Sequence, residues 1–296
     1  MKATFSRLGL ALLRLTALLP YPLLRVLGRA LGTLLWWLAR PRRIITLTNL
    51  ALCLPELSER ERRAIAHEHF VYFARTFLER FIFWYGSAER IRALVQLEGL
   101  EHWHAQRHRP VILMAPHFLG LDAGGIRIQL ETQFVSMFAH QKNPVLDAAM
   151  QRGRSRFNAP VLLARQEGLR PAIRALRARI PFYLLPDMDL GPRDAVFVPF
   201  FGVPAATVTT LARVARLTQA VVIPVITTVH ENGYRTRFEP AWEDFPEADD
   251  RAAAARMNAY IESQVRLAPA QYLWSHKRFK TRPPGAPSLY PDALRG

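Results

Sequence analysis

Apolar and polar positions change period along this 296-residue chain. Over residues 8–39 apolar side chains fill most of every helical turn. At about 100° per residue Arg7, Arg14, Arg25, Arg29 and Arg40 fall within roughly 80° of one another, which is an amphipathic helix with a wide apolar face. Pro20 and Pro22 divide this stretch into two shorter helices. Residues 55–86 also read as helical, with Ser58 as N-cap, Glu61 three residues on, and an aromatic run through Phe70, Tyr72, Phe73, Phe77, Phe81 and Trp84. From Arg109 the pattern shifts to short β-rich apolar runs at 111–115, 134–138, 161–163, 182–185 and 221–229. Helical stretches at 121–130, 145–157, 169–178 and 208–217 separate them. This alternation predicts an α/β fold, a mainly parallel or mixed β-sheet flanked by helices. An added strand at 234–242, a helix at 252–267 and an irregular Pro-rich tail from Pro283 complete it. The expected organisation is a hydrophobic helical membrane anchor over 1–45 and one α/β domain over 46–296.

Charge sharpens the reading of the first segment. The formal net charge is +16, from 40 Lys and Arg against 24 Asp and Glu, yet residues 1–55 contain no acidic residue at all. Their basic residues, Lys2, Arg7, Arg14, Arg25, Arg29, Arg40, Arg42 and Arg43, are interleaved with Leu, Ala and Trp, a mixture suited to an anionic lipid surface. No uncharged stretch there approaches the roughly 18 apolar residues of a spanning helix. The expectation is therefore an uncleaved anchor lying in or dipping into the bilayer, its arginines snorkelling to phosphates. A cleaved signal peptide and a buried helical hairpin are the competing readings. Nucleic acid is disfavoured, because no zinc spacing or RNA- or DNA-binding signature accompanies the charge. The single cysteine, Cys53, excludes an intrachain disulfide and a CxxC motif and suits a reducing, cytoplasmic setting.

The candidate chemistry lies after the first apolar run, where His117 follows the 111–115 strand and Asp122 stands five residues on. Ligands of open α/β sheets bind beyond the carboxyl ends of the strands. Within one helix the two side chains would point about 140° apart, so they meet only across a turn, which Pro116 and Gly120 supply. Asp122 would then accept from one imidazole nitrogen and leave the other as a base toward a substrate hydroxyl. The plainer alternative is a core histidine beside an acid that favours a helix dipole. Asp187 and Asp189 end the 182–185 strand. Their spacing invites a metal reading but lacks a third ligand, so a structural or acceptor-orienting role is expected. No Gly-x-Ser-x-Gly elbow occurs and Cys53 lies far upstream, which leaves no evident nucleophile for an acyl-enzyme.

These residues carry a resemblance. The HxxxxD spacing is similar to that of the glycerolipid and lysophospholipid acyltransferase superfamily. The stretches APHFLGLD at 115–122, QKNP at 141–144 with RGR at 152–154, LPDMD at 185–189 with GPR at 191–193, VFVPFFG at 196–202 and YLWSHKRFK at 272–280 resemble the late acyltransferases of lipid A biosynthesis. Several members carry Glu where this chain has Asp122. The resemblance implies a glycerolipid acyltransferase-like fold and transfer of an acyl chain from acyl carrier protein to a hydroxyl of a lipid A precursor of the Kdo-lipid IVA type. The resemblance places that reaction in lipopolysaccharide biosynthesis and would put the protein on the cytoplasmic side of the inner membrane. His117 would be the general base assisted by Asp122. Arg154, Arg165, Asp187 and Asp189 would serve substrate binding, the arginines facing a phosphate or a developing oxyanion. No metal or cofactor is called for. A lysophospholipid or aminolipid acceptor is one alternative. A non-catalytic lipid-binding protein is another, opposed by intact His117 and Asp122. The segment 275–280, with His276, Lys277, Arg278 and Lys280, reads either as a lipid-phosphate site or as a basic closing strand.

Overall fold

The computed structural model describes residues 2–291 and 294, with side chains from Gly9 onward, so the side chain of Arg7 lies outside the described residues. Among the described residues nine strands form: β1 (Val95–Glu98), β2 (Val111–Met114), β3 (Val135–Phe138), β4 (Val161–Ala164), β5 (Phe182–Leu184), β6 (Ala195–Phe200), β7 (Val203–Val208), β8 (Val221–His230) and β9 (Gly233–Phe238). Seven make one sheet in the order β1-β9-β8-β2-β5-β3-β4, parallel at every pairing except β8 with β9. The central β2 is buried along its whole length, as a strand covered by helices on both faces must be. Helices Leu121–Gln129, Pro144–Arg154, Arg170–Arg177, Thr210–Thr218 and Asp250–Leu267 occupy the expected intervals within a few residues.

Three strand features depart from the pattern reading. The short edge strand β1 was not expected. Nor was the β6–β7 hairpin, in which Pro199 faces Pro204 and the turn residues Phe201 and Gly202 have φ of 50° and 74°; both lie in the left-handed region that tight two-residue hairpins require. Residues 275–280 form turns instead of a closing strand, with Arg278 buried.

At the N-terminus the break at Pro20 is present, separating helix Lys2–Leu15 and a short 3-10 turn from helix Tyr21–Leu38. Helices Arg40–Cys53 and Glu59–Tyr85 follow. The latter opens on a capping box in which Glu61 N–H donates to Ser58 Oγ and Ser58 N–H donates to the Glu61 carboxylate. Helix Tyr21–Leu38 lies against Glu59–Tyr85 at backbone distance. A Cβ on Gly32 would stand 2.4 Å from Val71 Cα, so only glycine fits the crossing. Beside it the buried pair Arg75–Glu79 (2.7 Å) ties four elements together: Arg75 donates to the Tyr21 hydroxyl and the His230 carbonyl, and the Tyr234 hydroxyl donates to Glu79.

The first helices are therefore joined to the sheet. The boundary drawn between residues 45 and 46 falls inside helix Arg40–Cys53, whose Ile45, Leu50 and Cys53 belong to the main core. Among the described residues no helix is long and apolar enough to cross a membrane. The outer face of Tyr21–Leu38 nonetheless exposes Leu23, Val26, Leu27, Leu34, Trp37 and Leu38.

Candidate active site

Sheet register builds the site. Met114 at the end of β2 is the pairing partner of Leu184 at the end of β5. Each is followed by one apolar residue and then a proline, Ala115-Pro116 and Leu185-Pro186, which carry the chain out of the sheet into His117 and Asp187. Equal offsets from a paired position set these two residues side by side at the carboxyl edge. Asp187 Oδ2 accepts from the His117 backbone N–H (2.9 Å) and Oδ1 accepts from Nδ1 of the ring (2.6 Å). The His117 turn is fixed from the other side, where Leu119 N–H donates to the Gln271 carbonyl and Leu273 N–H donates to the His117 carbonyl.

Burial opposes ionisation of Asp187, but the charge of His117 and its two hydrogen bonds outweigh it and hold the carboxyl below its ordinary range. An ionised carboxylate only accepts, so the proton sits on Nδ1. Nε2, without a partner among the described residues, is then the basic nitrogen of a ring that lines the cleft.

That cleft, of about 550 Å³, is walled by His117, Asp122, Arg80, Arg154 and Arg165 and by apolar side chains including Phe73, Phe77, Met137, Phe138 and Leu185. A narrow recess of about 70 Å³ opens beside Asp122, between helix Leu121–Gln129 and the sheet, lined by Ile126, Phe134, Leu162 and Tyr183. Asp122 occupies the first turn of that helix. Arg154 Nε and Nη2 donate to its Oδ1 at 3.1 and 2.6 Å, and Arg80 Nε stands 2.7 Å from its Oδ2. Burial alone would raise the Asp122 pKa; the two guanidiniums instead bring it down to about 2.

The expected His117–Asp122 pairing is thus corrected: the acid on the imidazole is Asp187. Asp122 starts the helix and leans toward helices Glu59–Tyr85 and Pro144–Arg154, whereas His117 still follows the line of the strand. Asp187 and Asp189, expected to serve substrate binding through a structural or acceptor-orienting role, do not line the cleft. Asp189 is buried and accepts from Thr281 Oγ1 and N–H and from Gly191 N–H, while its own N–H donates to His276 Nε2. Burial, His117 and Arg278 keep His276 neutral, its pKa lowered to about 4, which suits that acceptor role. Arg165 sits on a one-turn 3-10 helix at the exposed rim and has no acidic partner among the described residues.

A histidine oriented by a buried acid, in a basic and apolar cleft, is an arrangement able to take a proton from a hydroxyl. Over residues 2–281 the sequence matches the family model described as bacterial lipid A biosynthesis acyltransferase. The chain belongs to that family. It is 35% identical to the lipid A biosynthesis lauroyltransferase of Escherichia coli (strain K12) over 289 residues, covering 96% of this chain and 94% of that one. Against the palmitoleoyltransferase of the same organism the identity is 34%, covering 95% and 93%, and against its myristoyltransferase 35%, covering 89% and 82%. Among solved structures it is similar to the 1-acyl-sn-glycerophosphate acyltransferase of Thermotoga maritima at 14% identity. That likeness covers 76% of this chain and 94% of that one at a TM-score of 0.36, too distant to carry an argument.

This lipid A acyltransferase therefore brings His117, Asp122, Arg154 and Arg165 to one cleft and places Asp187 directly behind His117. Sequence reasoning missed Arg80, which lies within a long basic and aromatic helix with no motif around it. It also missed the role of Asp187, although the parallel x-Pro-His and x-Pro-Asp strand exits were the available signal.

Proposed function

We propose that this lipid A acyltransferase moves a fatty acyl chain from acyl carrier protein to a hydroxyl of a Kdo-lipid IVA-type precursor. The observation that carries the reading is the free Nε2 of His117 on the cleft wall, its tautomer set by Asp187. The acceptor O–H gives its proton to Nε2 as the oxygen bonds to the thioester carbonyl carbon. The C–S bond then breaks, and the leaving thiolate takes the proton from the imidazolium that Asp187 has stabilised. General base catalysis of this kind contributes roughly 10²- to 10⁴-fold. Arg154 and Arg165 offer donors to a phosphate or to the transient oxyanion. The apolar wall and the recess beside Asp122 suit the acyl chain. A carrier protein of acidic character is attracted by the net charge of +16.

The same reading places the enzyme on the cytoplasmic face of the inner membrane. The outward leucines and Trp37 of helix Tyr21–Leu38 would lie in the bilayer surface, with arginines at headgroup level. Purified enzyme incubated with radiolabelled acyl-acyl carrier protein and a tetra-acylated lipid A precursor should form labelled product, and His117→Ala should not. Equal transfer by both proteins, or transfer by neither, sinks the mechanism. For the membrane, Val26→Glu combined with Trp37→Glu should release the protein in vesicle flotation; undiminished flotation would refute the surface assigned.

A further inference from the structure

The two ion pairs of Asp122 are unequal. Arg154 directs Nε and Nη2 at one carboxylate oxygen with hydrogen-bond alignment. Arg80 Nε is close to the other oxygen, yet Arg80 Nε and Asp122 Oδ2 are both buried atoms without an aligned hydrogen-bond partner. The Arg80 guanidinium lies 5.9 Å from the Phe77 ring centroid and 5.8 Å from that of Trp84, so aromatic contact also helps fix its position. Its Nη1 and Nη2 have no protein acceptor among the described residues, and the side chain is 29% exposed where it lines the cleft. Three guanidiniums, Arg80, Arg154 and Arg165, share this cleft with the single carboxylate of Asp122, which leaves an excess of positive charge on that wall.

We propose that Arg80 recognises a phosphate group of the substrate, its two terminal nitrogens taking two phosphate oxygens, and that Asp122 is the positioning residue that presents Arg80 and Arg154 to the cleft. A planar fork with two open donors matches a phosphate in a way a point charge does not. The proposal rests on the cleft being the acyl-transfer site. Phosphate chemistry can enter it from two sources, a phosphomonoester on the lipid acceptor or the phosphopantetheine arm of the donor.

Four substrates separate the sources: the lipid acceptor with and without its phosphate, and acyl-phosphopantetheine against acyl-pantetheine. The wild-type enzyme should favour the phosphorylated member of one pair by a KM ratio of roughly tenfold to a hundredfold, the worth of a hydrogen bond to a charged group. In Arg80→Ala that ratio should collapse toward one, and Arg80→Lys should recover part of it. The pair whose ratio collapses names the source. A wild-type enzyme with no preference in either pair, or an Arg80→Ala variant that weakens all four substrates by one common factor, overturns the proposal. A binding arm keeps it separate from the fate of the acyl-transfer reading. By calorimetry, wild type should bind octyl phosphate more tightly than octanol, and Arg80→Ala should bind the two alike. No difference in the wild type would reject the site even if acyl transfer is confirmed, and a difference with no acyl transfer to any hydroxyl would retain the anion site while rejecting the catalytic reading.

Discussion

Asp187 and Asp122 stand near one histidine and are held by different parts of the molecule. Asp187 turns both oxygens to a residue 70 positions away in sequence, because two parallel strands end in register. Asp122 lies five residues from that histidine in the chain and gives its oxygens to guanidiniums from two other helices. The first neighbourhood is a product of strand pairing and the second of helix packing. Nearness in sequence selected the wrong acid, since a parallel sheet groups side chains by register and not by distance along the chain.

The largest effect should come from Asp187→Asn, which removes the acceptor that sets the His117 tautomer. We expect kcat to fall by roughly 10²- to 10⁴-fold with KM little moved, whereas Asp122→Asn should raise KM more than it lowers kcat. Steady-state kinetics on both variants would erase the distinction if the two patterns came out alike. Next, Gly32→Leu forces helix Glu59–Tyr85 outward at a backbone contact and should cost about 3 kcal/mol in denaturant unfolding. Arg80 rides on that helix, so any residual change in activity should appear in KM first.

Acid offers a third probe. The folded-state pKa of Asp122 is depressed from 3.8 to about 2, so its stabilising contribution is complete above the unfolded value and disappears as pH falls through that window. Wild type should lose on the order of 2 kcal/mol there from this group, a slope that Asp122→Asn should lack in urea titrations between pH 5 and pH 2. The smallest effect, about 1 kcal/mol in thermal unfolding, is expected of Tyr234→Phe, which removes a donor from buried Glu79 and leaves the His117–Asp187 pair untouched. A loss of turnover as large as that of Asp187→Asn would mean that the helical layer and the strand edge are not separable.

Much of the sheet was legible because fully buried parallel strands are written as unbroken apolar runs, as in Val111–Met114. The capping box at Ser58 and the break at Pro20 were equally local and equally visible. β1 escaped because its four residues alternate with exposed polar ones at a sheet edge, and β6–β7 because opposed prolines argue against a strand in a central sheet though not in a separate hairpin. At the site, His117 and the cleft-lining residues Asp122, Arg154 and Arg165 could be named from the sequence. Which acid touched the imidazole could not, since that depends on the pairing of Met114 with Leu184. Arg80 was hidden for a related reason: its partner belongs to another helix, and no spacing within its own points to it.

The contact of Tyr21 and Tyr234 with the same Arg75–Glu79 pair has a consequence in time. A ribosome adding roughly 5 to 20 residues per second releases the first of these tyrosines some ten to forty seconds before the second. Throughout that interval the apolar N-terminal helices have emerged while the β8–β9 hairpin that locks them has yet to be made, so the nascent chain must shelter those leucines elsewhere until translation is nearly over.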